Sequence, residues 1–204
     1  MKIREEYNLA HLSTGDMLRA AVKAGTESGL RAKAVMEAGQ LVGDDIVVGI
    51  IAEAISDSSC AKGFILDGFP RNVSQAELLD SLLTEKGQTI DCVIYLAVED
   101  ELLIKRITGR LTHPPSGRSY NIYFNPPKEE GKDDITGEPL VKRADDNEDT
   151  LRQRLDTFHS QTSGVLQHYS AKLINVKADG TMSSITRNVR DALNSVRKQK
   201  LTDE

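Results

Sequence analysis

The chain reads as an α/β domain, a parallel sheet with helices on both faces. Short apolar runs closed by turn residues, Phe64-Ile-Leu66, Cys92-Val-Ile-Tyr-Leu96 and Ile174-Asn-Val176, have the pattern of strands covered on both faces. Between them lie segments whose apolar residues recur every three to four positions, as amphipathic helices require. Strands that alternate with helices in this way join in parallel.

In chain order, residues 3–7 read as the tail of a helix with no start signal of its own. In His11-Leu-Ser-Thr-Gly-Asp-Met-Leu-Arg19, the N-cap types Ser13, Thr14 and Asp16 precede an apolar face of Met17, Leu18, Ala21 and Val22, so a helix begins there and Arg19 projects from its first turns. A second helix spans Ser28 to Ala38 and is broken by Gly39 to Gly43. Asp44 and Asp45 suit the positive N-terminus of a third, whose face is Ile46, Val47, Ile50, Ile51, Ala54 and Ile55. After the Phe64 strand, Asp67 is placed to sit near a cation, Gly68 lets backbone approach a ligand, and Pro70 fixes the turn before Arg71. Ser74-Gln-Ala-Glu77 has the form of a capping box for a helix through Leu78, Leu79, Leu82 and Leu83. Helices follow at Glu99 to Thr108, at Glu148 to Tyr169 with Leu151, Leu155, Phe158, Val165, Leu166 and Tyr169 on one stripe, and after the last strand from Met182 through Val196.

With 204 residues the chain fits one domain with a small insertion. It carries 26 Lys+Arg against 31 Asp+Glu, which argues against a general nucleic-acid or membrane-surface binder. Cys60 and Cys92 lack metal-site spacing and suggest a reducing compartment without a disulfide framework. No apolar run is long enough to span a membrane, and the first residues lack the apolar core of a secretory signal.

Leu111 to Val141 breaks the alternation of strand and helix. It holds most of the prolines together with Tyr120, Tyr123 and Phe124, so it reads as an insertion with its own small structure. Arg19, Arg71, Arg106, Arg110, Arg143 and Arg154 fall near strand ends, helix starts or the flanks of this insertion. Arg106 and Arg110, four apart, would share a helix face and repel each other unless something anionic lay between them. The planar guanidinium fork suits phosphate oxygens, so arginines converging on one cleft would make a polyphosphate site.

Six blocks in this order, HLSTGDMLR, QLVGDD, GFILDGFPRNVSQAE, RITGRL, HPPSGRSYNIYFNPP and KDDITGEPLVKRADDNEDTLRQRL, resemble adenylate kinase of the long-lid type, as in its eukaryotic mitochondrial and cytosolic forms. The resemblance implies the P-loop nucleoside monophosphate kinase fold: a core over residues 1–110 with AMP-binding helices at about 14–43, a lid at 111–141, and a return to the core at 142–204. It implies reversible phosphoryl transfer from MgATP to AMP, giving two ADP. On this reading AMP is held by Thr14, Arg19, Gln40, Leu41, Val42, Gly68, Arg71, Gln75, Arg143 and Arg154, with Gln75 reading the adenine edge. ATP meets Arg106, Arg110, Ser119, Tyr120 and Met182, while Arg71, Arg110, Arg143, Arg154 and Asp67 serve the transfer. Asp67 would orient Mg²⁺ through water, in keeping with magnesium's reluctance to dehydrate. Related lids carry zinc-binding cysteines at the frame occupied here by His113, Ser116, Asp133 and Thr136. Ser and Thr are poor zinc ligands, so a hydrogen-bonded substitute without structural zinc is expected.

The family also has a strand and a glycine-rich G-x-x-x-x-G-K loop for the β- and γ-phosphates, and no such motif occurs in these 204 residues. The resemblance places that strand centrally, between the Phe64 and Val93 strands, so the chain as written is expected to lack its central first strand and to be impaired in transfer. Two readings therefore stand side by side: an adenylate kinase, or a catalytically inactive module that still binds AMP. Within the enzyme class, a uridylate or guanylate kinase is the nearer rival. The family further implies a monomer that acts on ATP, AMP and ADP, without nucleic acid or membrane, in the cytoplasm or the mitochondrial intermembrane space.

Overall fold

The computed structural model describes residues 2–203. Its sheet comes in two parallel pairs. Strand β1 (Ala10–Ser13) runs beside β2 (Phe64–Asp67) with Ser13 opposite Asp67, and β3 (Val93–Ala97) beside β6 (Leu173–Lys177) with Val93 opposite Leu173. A short antiparallel pair, β4 (Arg110–Thr112) and β5 (Ser119–Asn121), belongs to the insertion. Among the described residues, β2 and β3 are not bonded to each other, and each has a strand partner on one edge. The expectation of strands covered on both faces is corrected by their burial. Phe64, Ile65 and Leu66 are half-buried, and Leu96 is exposed.

Strand β1 is a second departure from the sequence pattern, in which these residues lead into a helix. Its four residues hold a single large apolar side chain, Leu12, too little to register as a strand without its partner. Helix α1 (Lys2–Tyr7) precedes it, and α2 (Thr14–Ala24) follows directly, so Ser13 stands at the N-cap without a side-chain hydrogen bond to a backbone N–H of the helix. Thr26 caps α3 (Glu27–Glu37) by accepting from the Gly29 N–H, and α4 (Asp44–Ile55) carries the two expected acids in its first turn. In α5 (Val73–Glu85) the cap is Asn72, whose side chain accepts from the Gln75 N–H. Ser74 lies inside the helix, so the expected capping box does not form. Next comes α6 (Asp100–Thr108).

The helix expected as one piece from Glu148 to Tyr169 is divided. α7 (Glu148–Thr157) passes into a π-helical turn at Phe158–Thr162 and then α8 (Ser163–His168). The apolar stripe divides with it: Phe158 stacks on Tyr95, whereas Val165 and Tyr169 pack on Ala76 of α5. Helix α9 (Met182–Asp203) lies against α1, joined by a bidentate Arg190–Glu6 pair and by the Tyr7 hydroxyl donating to Asn194.

The main core gathers Leu18 of α2, Val47, Ile51 and Ile55 of α4, Phe69, and Leu79 and Leu83 of α5. It fixes the helices that carry Thr14, Arg19 and Gln75. Helices α2 and α3 meet without room for a side chain: a Cβ on Gly29 would lie 2.2 Å from the Ala21 carbonyl oxygen, whereas one on Gly49 of α4 meets nothing within 4 Å. Gly29→Ala is therefore expected to cost about 1–3 kcal/mol through overpacking. Gly49→Ala, in open space on a helix, should be neutral or gain about 0.5–1 kcal/mol. Chemical denaturation of both variants beside the parent chain checks the contrast.

Candidate functional site

The site grows from the C-terminal ends of β1 and β2, where ligands of open α/β sheets bind. Asp67 ends β2, Gly68 turns the chain at φ +71°, and Phe69 and Pro70, joined by a cis peptide bond, lead to Arg71. Gly68 answers both to its backbone angle and to space, since a Cβ there would stand 3.0 Å from the Arg71 guanidinium. Three bonds tie Arg71. Its Nε donates to the Gly68 carbonyl at 2.7 Å, its backbone N–H donates to Oε1 of Gln75 at 2.8 Å, and its carbonyl accepts from the Thr162 hydroxyl at 2.7 Å. Thr14, buried at the start of α2, donates its hydroxyl to the Gly68 carbonyl at 3.0 Å and so joins the two strand-end loops.

A cleft of about 460 Å³ opens over these loops. Thr14, Arg19, Gln40, Leu41, Val42, Asp67, Gly68, Arg71, Gln75, Arg110, Arg143 and Arg154 all line it, so five of the six arginines singled out in the sequence converge. Carboxylates stand behind most of them. Arg19 meets Asp16 at 2.6 Å, Arg154 meets Asp145 at 2.5 Å, and Arg110 makes a bidentate pair with the fully buried Asp146 at 2.8 and 2.5 Å. Among the described residues, Asp16 at 3.5 Å is the one carboxylate within ion-pair distance of Arg143, and none lies within that distance of Arg71. Burial, then the charges of Arg154 and Arg19, push the Arg71 guanidinium below its ordinary value against the pull of Asp67. Burial, with Arg19 and Arg110, does the same to Arg143. Burial would raise the Asp145 carboxyl, but the hydrogen bond and charge of Arg154 hold it below the usual carboxylate range. Two guanidiniums short of negative charge, facing one cleft, make a site for a multiply charged anion.

Arg106, Ser119, Tyr120 and Met182 lie outside this cleft. Arg106 and Arg110 do not share a helix face, because Gly109 ends α6 and Arg110 begins β4. Arg106 turns instead to the carbonyls of Ala178 and Gly180, just before α9, where Met182 is exposed. Ser119 is exposed on β5. Tyr120 is buried in the insertion and its hydroxyl donates to Asp133 at 2.9 Å, so it serves the internal bonding of that segment. Asp67 pairs with Nε2 of His11 at 3.2 Å, across from it on β1.

Thr162, Asp145 and Asp146 are not marked by the sequence pattern, and it marks Asp16 and Asp44 only as helix-start acids, not as partners within the cleft. The adjacent Asp145 and Asp146 beside Arg143 were the one available signal. The π turn that presents Thr162 leaves no mark in residue types.

The insertion closes on itself through a Thr112–Val141 bridge and a polar centre. Asp133, fully buried, accepts from Nε and Nη2 of Arg118 at 2.8 and 2.7 Å, from Tyr120, and from the backbone N–H and hydroxyl of Thr136 at 2.9 and 3.0 Å. His113 spans Ser116 and Glu138, each at 2.7 Å. Thus His113, Ser116, Asp133 and Thr136 are joined by hydrogen bonds, with Arg118 and Glu138 as partners that the sequence reading had not included.

Comparison with known proteins gives one family. A sequence model described as adenylate kinase matches residues 1–174. Adenylate kinase 4 of Arabidopsis thaliana is 55% identical over 193 residues, 94% of this chain and 78% of that protein. Adenylate kinase 4 of Oryza sativa subsp. japonica is 52% identical over 193 residues, 94% of this chain and 79% of that protein. An adenylate kinase of Laccaria bicolor is 55% identical over 172 residues, 84% of this chain and 67% of that protein.

The Asp133 centre makes a pH prediction. The Arg118 hydrogen bond, outweighing burial, holds the Asp133 carboxyl well below the usual carboxylate range. The folded chain then takes up this proton less readily than the unfolded chain. The stabilisation is complete above an unfolded carboxylate pKa of about 4 and is lost as pH falls toward the depressed value. Thermal unfolding between about pH 4 and pH 3 should fall more steeply for the parent than for Asp133→Asn; equal slopes would count against this centre.

Proposed function

The chain belongs to the adenylate kinase family of phosphotransferases, and on that premise we propose that its cleft receives AMP at the β1–β2 end and MgATP toward the insertion, passing a phosphoryl group between them to give two ADP. The convergence of five arginines on one cleft carries this reading. Thr14, Arg19, Gly68, Arg71 and the backbone of Gln40 to Val42 hold the monophosphate, with Gln75 against its base. Arg110, Arg143 and Arg154 lie between the two phosphate chains. Their carboxylate partners hold the guanidiniums in place before the substrate arrives, so little reorganisation remains for the transfer itself. Arg106, Ser119, Tyr120 and Met182, with Arg110, make up the ATP side.

Magnesium enters with ATP as part of the substrate. A single exposed carboxylate, Asp67, fits an ion that keeps most of its own waters. The insertion acts as a lid that excludes water from the phosphates; the adenylate kinase lid is itself the standard example of such gating. In this lid the Asp133 network takes the place that zinc and cysteines hold in related lids.

Residues 1–204 contain no G-x-x-x-x-G-K to cradle the β- and γ-phosphates. By themselves they are therefore proposed to bind AMP and to transfer poorly, because phosphoryl transfer rests almost wholly on positioning and electrostatics. A coupled assay with AMP and MgATP should give a rate at least about 10³-fold below the roughly 1–100 s⁻¹ of kinases. A rate inside that range would sink the impairment. Calorimetry should show AMP binding to the same chain, weakened about tenfold or more by Arg71→Ala, which removes charge-assisted bonds. No AMP binding at all would overturn the assignment of the β1–β2 end.

A further inference from the structure

Gln75 is 1% exposed, yet it lines the cleft, and both ends of its amide are fixed by partners of one polarity. Oε1 accepts from the backbone N–H of Arg71 at 2.8 Å, and Nε2 donates to Oδ1 of Asp44 at 2.8 Å. A backbone N–H only donates and a carboxylate only accepts, so a flipped amide would set donor against donor and acceptor against acceptor. Asp44 is itself held. The same Oδ1 accepts from Nδ2 of Asn72 at 3.1 Å, and Oδ1 of Asn72 caps α5 by accepting from the Gln75 N–H at 2.7 Å. Asp44 also sits in the first turn of α4, where the helix dipole favours a negative charge.

After these bonds Gln75 keeps one N–H on Nε2 and one lone pair on Oε1. That pair of groups complements a 6-aminopurine, whose exocyclic amine donates and whose N1 accepts. A 6-oxopurine reverses both: O6 accepts and N1–H donates, and it would need the flipped amide. We propose that Asp44 is a specificity-determining residue, which locks the Gln75 amide in the orientation that accepts adenine and refuses guanine. The inference rests on the reading of Gln75 as the residue that meets the base.

The test is AMP and GMP binding by calorimetry to the 204-residue chain, to Asp44→Asn, to Asp44→Ala and to Gln75→Leu. Asparagine offers Gln75 a donor as well as an acceptor, and alanine removes the anchor, so in both variants the preference for AMP over GMP should fall about five- to hundredfold. Equal weakening of both nucleotides would mean that Asp44 only supports the fold, and would overturn the proposal. Gln75→Leu separates the two levels. If it leaves the preference unchanged, Gln75 does not meet the base and that reading fails; if it erases the preference while both Asp44 variants keep it, the role of Asp44 alone fails. Should neither Asp44 variant fold, NMR of the unsubstituted chain decides. Before nucleotide is added, the Gln75 side-chain NH₂ pair, assigned by its loss in Gln75→Leu, should show one hydrogen-bonded, slowly exchanging proton and one that exchanges faster. Two protons exchanging alike in the nucleotide-free chain would overturn the lock.

Discussion

Five guanidiniums facing one cleft repel one another, and that repulsion is the constraint around which the site is built. At an effective dielectric near 20, two unit charges about 4 Å apart interact by about 4 kcal/mol. Asp145 and Asp146, buried beneath the arginines, and the exposed Asp16 relieve part of this. They join α2, the segment before α7, α7 itself and β4, so the charge balance also ties these helices to the insertion. What they leave uncovered, Arg71 and most of Arg143, is the positive charge offered to a ligand. The cleft is thus strained when empty and relieved when an anion enters, the arrangement expected of a site that must take phosphate chains from water.

The loop after β2 meets a different demand, that of holding an arginine still without neutralising it. Arg71 is bonded through its Nε, its backbone N–H and its carbonyl, and none of those partners is a carboxylate. Backbone and side-chain dipoles fix its position and leave its charge free for the ligand. Gly68 makes this possible, because any side chain there would press on the guanidinium. The loop draws its partners from α2, α5 and the π turn, so the conformation of Arg71 reports on the packing of all three.

How much of this was legible in the sequence depends on the range of the cause. Asp67 to Arg71 could be read because strand, glycine, proline and arginine act within nine residues. The convergence of the arginines was readable only through the resemblance of whole blocks, since nothing in the spacing of Arg19 and Arg154 says that they meet. The acids behind them were invisible as partners for the same reason. Local readings failed where tertiary contacts decided. β1 owes its form to β2, with one large apolar residue of its own. The cap of α5 went to Asn72, and Ser74 with Glu77 made no box, because Asn72 is also held by Asp44 from another helix. The half-burial of β2 and β3, and their pairing with one strand each, are set by what packs against them, which their apolar composition does not disclose.

The π turn at Phe158–Thr162 places one extra residue in an otherwise continuous helix. In a helix of 3.6 residues per turn, one residue is about 100° of rotation. The turn therefore clocks α8 relative to α7, letting one stretch of chain aim Arg154 at the cleft and Tyr169 at Asp80 of α5, while the widened turn carries Thr162 to Arg71. A helix of unbroken phase could satisfy one of those faces but would rotate the other away. In evolutionary terms this makes the segment tolerant of changed side chains and intolerant of changed length: losing or gaining a single residue between 157 and 163 would leave the composition almost untouched and turn half of the helix to the wrong side.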